Sequence, residues 1–308
     1  MPSQTFAQGG YPAKSIRLVI PRTPGGSVDV VGRAWSEKVR TTLGASHVEN
    51  VGGGGGRIGA DAVARAPADG YTLLIGTTSE LVLNPLLAKQ NYDPVKDFAP
   101  VGILSTSPLI IGLHPDVPAN DLKELAEFMK ANPDRANFGS AGANTIGHIA
   151  GEMFKQIAAL PKLVHIPYKG GAAAMQDVMG GRLAFGIVSI SGSVVDLHEA
   201  GKLKIIAVTS PERLAAAKNI PSVAEQGYKD MVIEFFIGLF APSGVPPEIM
   251  SRLETSTIAA MKEPSLRKLL QDAGFEIPSS NREAAAAFVK SELARWEPVL
   301  KAAGLKQS

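Results

Sequence analysis

Short β-runs alternate with amphipathic helices along this chain, and glycines collect where a strand hands over to a helix. No other feature restricts its folding as strongly. Ser15 to Ile20 (SIRLVI) is an apolar β-run that Pro21 stops, and the next periodic segment, Val28 to Val39, is helical, with PRTPGGS between them. A second unit repeats the plan: a short strand near His47 to Val51, the glycine run Gly52 to Gly56, and a helix from about Ile58 to Arg65. Asp69-Gly70 then turns the chain into the strand Tyr71 to Ile75. Units of this length predict an α/β protein with a largely parallel sheet.

The middle of the chain continues the pattern. A strand at Pro108 to Leu113 runs into HPDVPAND, where Asn120 or Asp121 caps a helix whose Leu122, Leu125, Ala126 and Met129 share one face. There follow the strand Asn137 to Gly139, the helix Ile146 to Ile157, the strand Leu163 to Ile166 and the helix Ala172 to Met179. Strands at Leu183 to Val188 and Ile205 to Val208 complete this set. The chain returns through the apolar strand Glu234 to Ala241 and ends in helices, the last opened by Ser280 with Glu283 in a capping-box pattern and continued through Leu293, Trp296 and Leu300. The order predicts two α/β lobes, residues 113–234 inserted into a first lobe made of 11–112 and 235–308. Two crossings, near Gly112 and Glu234, make a hinge and hence a cleft.

Composition narrows the function. Lys and Arg number 31 against 29 Asp and Glu, a net charge of +2, so no basic excess is available for a nucleic-acid backbone. With no cysteine there is no disulfide, thiol nucleophile or Cys-ligated metal. The histidines His47, His114, His148, His165 and His198 show no metal-ligand spacing, and no cofactor is implied. Apolar runs fall far below the roughly 20 residues of a membrane-spanning helix. The first residues lack the apolar core of an intact signal peptide, although Thr5 to Gln8 read as the tail of a cleaved export signal with Met1 added.

The 32 glycines and 22 prolines gather at strand-to-helix junctions: Pro24-Gly25-Gly26, Gly52 to Gly56, Gly139 to Gly142 and Gly170-Gly171. In open α/β sheets these junctions lie at the carboxyl ends of strands, where ligands bind. Glycine lets backbone N–H groups come close to a ligand, and the helix N-terminus behind them favours an anion. Three motifs compete with this reading. Gly54, Gly56 and Gly59 fit GxGxxG, with Glu80 placed as a ribose-binding acid would be, but the preceding HVEN is polar for a central strand and a five-glycine run satisfies the pattern by accident. An NAD- or nucleotide-using enzyme therefore stands as the alternative. There is no GxSxG, and Ser265 to Lys268 fits SxxK in a helical context where Ser simply starts a helix.

The segments YPAKSIRLVIPRTPGGSVDVVGR, VENVGGGGGRIGADAVARAPADGYTLLIGT, FGSAGANTIGHIAGEMF, VHIPYKGG, KLKIIAVTS, IPSVAEQGY and GLFAPSGVPPEI occur in an order and spacing that resembles the solute-binding proteins of tripartite tricarboxylate transporters, the Bug or TctC family. The resemblance covers nearly the whole chain. It implies a monomeric periplasmic receptor, not an enzyme, with two lobes that close on a small organic acid and deliver it to a membrane permease.

It also implies the site. Family members grip a carboxylate through backbone amides and ordered water at two loops, here Arg22, Thr23, Pro24, Gly25, Gly26 and Ser27, with Asp29 behind them, and Ser140, Ala141, Gly142 and Thr145, with His148 on the next helix. For Asp29 a loop-orienting role and for His148 a packing role are the simpler readings. Thr77, Thr78 and Ser79 offer hydroxyls, and Lys169, Gly170 and Gly171 precede a helix whose N-terminus faces the ligand. Two departures bear on specificity. Family loops commonly read PFPPGG or PFAAGG, whereas Arg22 and Thr23 stand here; an Arg there either takes a second carboxylate or lies on the rim in water. Relatives that bind amino acids tend to carry an acid where Val188 and Ser189 stand, so poor amino-acid binding is expected, with a dicarboxylate, or else an aromatic carboxylate, as the ligand.

Overall fold

The first β-run is strand β1 (Ile16–Ile20), buried at every position but Arg17. In the computed structural model, which describes residues 10–214, 217–278, 280–302 and 305, β1 lies between two parallel partners, β2 (Ser46–Asn50) and β3 (Thr72–Thr77). Thr5 to Gln8, expected as a signal remnant, lie outside the described residues. Helix α1 (Ser27–Lys38), the single turn α2 (Arg40–Leu43) and helix α3 (Arg57–Ala64) make the crossovers. The polar β2 is half-buried because it is an edge strand.

After β3 comes a π-helical turn (Ser79–Leu83), a further turn α4 (Asn84–Leu87), and then β4 (Phe98–Leu113), a strand of 16 residues. Only its last third is predicted from periodicity. Register shifts between Pro100 and Gly102 and between Ile103 and Ser105 break the alternation that would mark Phe98–Ser107 as strand. The chain continues through α5 (Leu122–Ala131), β5 (Asn137–Ser140), α6 (Ile146–Ile157), β6 (Val164–Pro167), α7 (Gly171–Met179), β7 (Phe185–Ser189), α8 (Gly192–Glu199) and β8 (Lys204–Val208). It returns along β9 (Glu234–Pro242) and closes with α9 (Pro247–Lys262), α10 (Pro264–Asp272) and α11 (Arg282–Ala302).

The strand order is β2-β1-β3-β9-β4-β7-β5-β6, with β8 also on β4. Outer strands pair in parallel, as the alternation of strand and helix predicts. All pairings of β4 and β9, which lie in the middle of the sheet, are antiparallel. Along β4, pairing with β9 runs as far as Pro108 opposite Glu234, and pairing with β7 begins at Leu109 opposite Ser189. This hand-over divides the molecule into two α/β lobes with a cleft between them.

Caps follow the sequence closely but not at every end. Asp121 caps α5 by accepting from Glu124 N–H (2.7 Å), and Glu124 returns an acceptor to Asn120 N–H (2.7 Å), a reciprocal box. At α11 the cap is Asn281, which accepts from Ala284 N–H (2.8 Å). Ser280, the predicted cap, instead accepts from Ile103 N–H of β4 at 3.2 Å and so pins the helix start to the sheet. The SxxK pair is likewise separated: Ser265 accepts from Lys38 and Lys268 pairs with Asp272.

Candidate ligand-binding cleft

Three helices start at one place. The residues before α1, α7 and α8 are Gly26, Gly170 and Ser191, each without a side-chain cap, and all three line a single cavity of about 80 Å³ between the lobes. An uncapped helix start presents backbone N–H donors and the positive end of the helix dipole, so the three together form a concentrated anion-attracting surface. Arg22, Thr23, Gly25 and Ser27 line it from the first lobe, and Ala141, Gly171, Val188 and Ser189 from the second. No carboxylate side chain is among the described residues that line it. The sequence reading did not single out Ser191, Ser193 and Val194, although Ser191-Gly192-Ser193 after β7 is one more glycine junction of the same kind.

The other expected residues stand behind this surface. Asp29 is buried and accepts from Gly25 N–H (3.0 Å), Arg33 Nε (2.9 Å) and Asn50 Nδ2 (2.8 Å), which fixes the turn ahead of α1. Burial by itself raises its pKa, but the hydrogen bonds from Arg33, Gly25 and Asn50 outweigh that and hold the carboxyl below its ordinary range. Pro24 is exposed and forms the turn without lining the cavity. Thr77, Thr78 and Ser79 are buried under the loop: Thr77 Oγ1 donates to Glu80 (2.6 Å), Ser79 N–H donates to Thr77 Oγ1 (3.1 Å), and Thr78 Oγ1 accepts from Phe236 N–H (2.9 Å).

Arg22 is neither on the rim nor free to clamp a carboxylate with both arms. Its side chain is 9% exposed; Nη1 lies 2.5 Å from Glu80 Oε1 and donates to Pro21 O (2.7 Å). Glu80 is fully buried, and its other oxygen accepts from Thr77 N–H (2.8 Å). Gly56, at φ +95°, leaves room for this pair: a Cβ there would sit 1.7 Å from Glu80 Oε1 and 2.2 Å from Arg22 Nη1. The dinucleotide reading fails on this geometry, since the acid it requires at the ribose is sealed in the lobe and ion-paired with Arg22.

In the second lobe, Ser140 Oγ donates to Gly142 O (2.9 Å), accepts from Gly142 N–H (3.2 Å) and meets His165 Nε2 at 2.7 Å. Thr145 Oγ1 also donates to Gly142 O (2.7 Å). His148 Nδ1 accepts from Asn144 N–H (3.2 Å), which sets its tautomer, and its ring stacks on His165 with centroids 4.1 Å apart. Burial first, then the neighbouring charge of Lys155, lowers the pKa of His148 to about 4; burial, then His148 itself, lowers His165 to about 3. Two neutral imidazoles thus brace the loop whose Ala141 reaches the cavity. Lys169 is exposed and lines an adjoining space with Gly53 to Gly56 and Ala141 to Ala143.

Residues 31–305 match the model of the tripartite tricarboxylate transporter family receptor. The chain belongs to that family. The structure of the periplasmic binding protein BugD superposes with a TM-score of 0.91 at 34% identity, covering 97% of this receptor and 100% of BugD. Rpa4515 of R. palustris, solved with adipate, gives 0.90 at 30% identity over 96% and 98% of the two chains. MatC from Rhodopseudomonas palustris, solved with bound malate, gives 0.89 at 28% identity over 94% and 100%. The receptor's two lobes and cleft are therefore those of this family of periplasmic solute-binding proteins. Among its described residues no helix is long and apolar enough to cross a membrane.

Proposed function

We propose that this protein is a periplasmic receptor for a small organic dicarboxylate, which it delivers, as a monomer, to the membrane permease of a tripartite tricarboxylate-type transporter. The observation that carries the reading is the meeting of three uncapped helix starts around one small cavity that no acidic side chain among the described residues lines. Backbone amides hold an anion without any basic surplus in the composition, which matches a net charge of +2. An ammonium group has no counter-charge at Val188 or Ser189, which favours a dicarboxylate over an amino acid. Among the described residues no aromatic side chain lines the cavity, which favours an aliphatic ligand over an aromatic one. Relatives solved with malate and adipate fit the same chemistry. The lobes are assigned as residues 11–112 with 235–308 and residues 113–234, moving about the strands that join them, and the ligand sits among Thr23, Gly25, Gly26, Ser27, Ala141, Gly170, Gly171 and Ser189.

Calorimetric titration with malate, succinate, adipate, benzoate, aspartate and glutamate tests this. At least one aliphatic dicarboxylate is expected to bind in the micromolar range or tighter and to raise the melting temperature with the logarithm of its concentration over Kd. Equal or tighter binding of aspartate, glutamate or benzoate, or no binding of any dicarboxylate, overturns it.

A further inference from the structure

The glycine run Gly52 to Gly56 is used by neither the cavity lining nor any nucleotide site, and five consecutive glycines need a physical reason. Within their own lobe, a Cβ at Gly53 would meet the Ile58 side chain at 2.8 Å and one at Gly56 the Arg22–Glu80 pair, whereas at Gly52 and Gly54 it would make only ordinary contacts, Gly54 being set apart by its φ of +58°. Gly55 differs. A Cβ there would lie 2.3 Å from the carbonyl oxygen of Ala143, which belongs to the opposite lobe. That distance leaves no space for a methyl group.

We propose that Gly55 is the point on which the two lobes seat against each other, so that its missing side chain sets how far the cleft closes and how tightly the ligand is held. Neither side of the contact can yield. Gly55 O accepts from Asn84 Nδ2 (3.1 Å), and Asn84 is itself buried. Across the seam, the loop carrying Ala143 is fixed at Gly142 by Ser140 and Thr145 and at Asn144 by His148. Gly142 adds to the fit, since a Cβ there would touch Gly55 Cα at 3.8 Å and Tyr168 O at 3.1 Å. A second seam contact is softer: a Cβ at Gly170 would meet Thr23 Oγ1 at 2.1 Å, but that hydroxyl can rotate away. The seam adjoins the ligand cavity, with Arg22 and Ala141 lining both spaces. A methyl at Gly55 is therefore relieved only by holding the lobes apart, which withdraws one lobe's amides from the anion. A receptor that cannot populate its closed state loses affinity by the fraction of that state lost.

Gly54 supplies the matched control. Gly54 and Gly55 have φ values of +58° and +65°, so alanine is similarly strained at either, yet a Cβ at Gly54 meets nothing closer than 3.5 Å and nothing from the other lobe. The inference rests on the receptor reading for its affinity readout only; the lobe distance is measured independently. The chain has no cysteine, so a spin-label pair at Glu37→Cys and Lys162→Cys, exposed residues of the two lobes, reports the lobe separation cleanly. Wild type, Gly54→Ala and Gly55→Ala are titrated with malate, succinate and adipate, and distance distributions are recorded with and without these acids. Both variants are expected to lose similar thermal stability without ligand. Gly54→Ala is expected to keep wild-type affinity within about threefold, and Gly55→Ala to bind every acid at least about tenfold more weakly and to lack the short-distance population. Gly55→Ala closing and binding as Gly54→Ala does overturns the proposal. Should wild type bind none of the acids, the dicarboxylate reading falls, and the distances alone decide: a short-distance population absent only in Gly55→Ala supports the seat, and one distribution common to all three overturns it.

Discussion

Arg22 carries a full charge into a largely buried position at the edge of the cleft, and the physical reason it stays there is Glu80. A buried pair contributes little net stability, because desolvation of both ions offsets their attraction, but removing one partner strands the other. Arg22→Met and Glu80→Gln are each expected to destabilise the protein by about 3 kcal/mol in urea unfolding, and the double variant to recover at least half of that loss. Additive losses would show that the two side chains act independently. At this scale the sequence was only partly legible. It marked Arg22 as unusual for the loop and Glu80 as an acid following a glycine pattern, yet joining them required knowing that Gly56, in the turn before α3, leaves room for the pair. The hydroxyls of Thr77, Thr78 and Ser79 illustrate the same limit. They lie at the end of β3, where ligand contacts are expected, and those of Thr77 and Thr78 are spent instead on Glu80 and on the backbone N–H groups of Ser79 and Phe236.

Among the elements, the loop between β5 and α6 depends on the neutrality of its two stacked histidines. Both have native pKa values, about 4 for His148 and about 3 for His165, below the ordinary value of 6.5. The unfolded chain therefore takes up protons first as pH falls, so stability is full above about pH 6.5 and declines from there toward pH 4 and then 3. The loss is expected to be of order 1 to 2 kcal/mol per imidazole by pH 4.5, read as a falling urea midpoint. His148→Gln, which retains an acceptor for Asn144 N–H, is expected to be less stable at pH 7 yet to show a flatter decline. An unchanged slope would show that His148 is not the titrating group. The helices and outer strands were legible because their period and glycine junctions are local. The cap of α11 was misplaced by one residue because Ser280 and Asn281 are both good caps, and a tertiary bond from Ile103 N–H takes Ser280. Helix α8 was missed because its apolar face is short, with Val194 its only buried residue.

For the whole molecule, the decisive feature is the set of strands that join the lobes, and sequence alone showed least there. Two crossings were expected from the order of elements, but β4 is longer than its period suggests and changes partners at Pro108–Leu109. At that point Thr209, fully buried, ties the crossings together. Its hydroxyl accepts from Leu109 N–H (2.8 Å) and donates to Ile233 O (2.6 Å), while its backbone bonds Leu109 O (2.9 Å) and Ile233 N–H (2.8 Å). One side chain thus satisfies a donor on one crossing and an acceptor on the other, where no water is available to replace it. Thr209→Val keeps the shape and removes the hydroxyl, leaving Leu109 N–H and Ile233 O unpaired. The expected cost is about 2 to 4 kcal/mol of global stability. Local opening at the junction is also expected, seen as faster amide exchange at Leu109 and its neighbours than in the outer strands. Thr209→Ser, which retains the hydroxyl and loses only a methyl group, is expected to protect Leu109 nearly as wild type does. If valine and serine behaved alike, the strands would be held by packing, and the hinge would owe nothing to the hydroxyl.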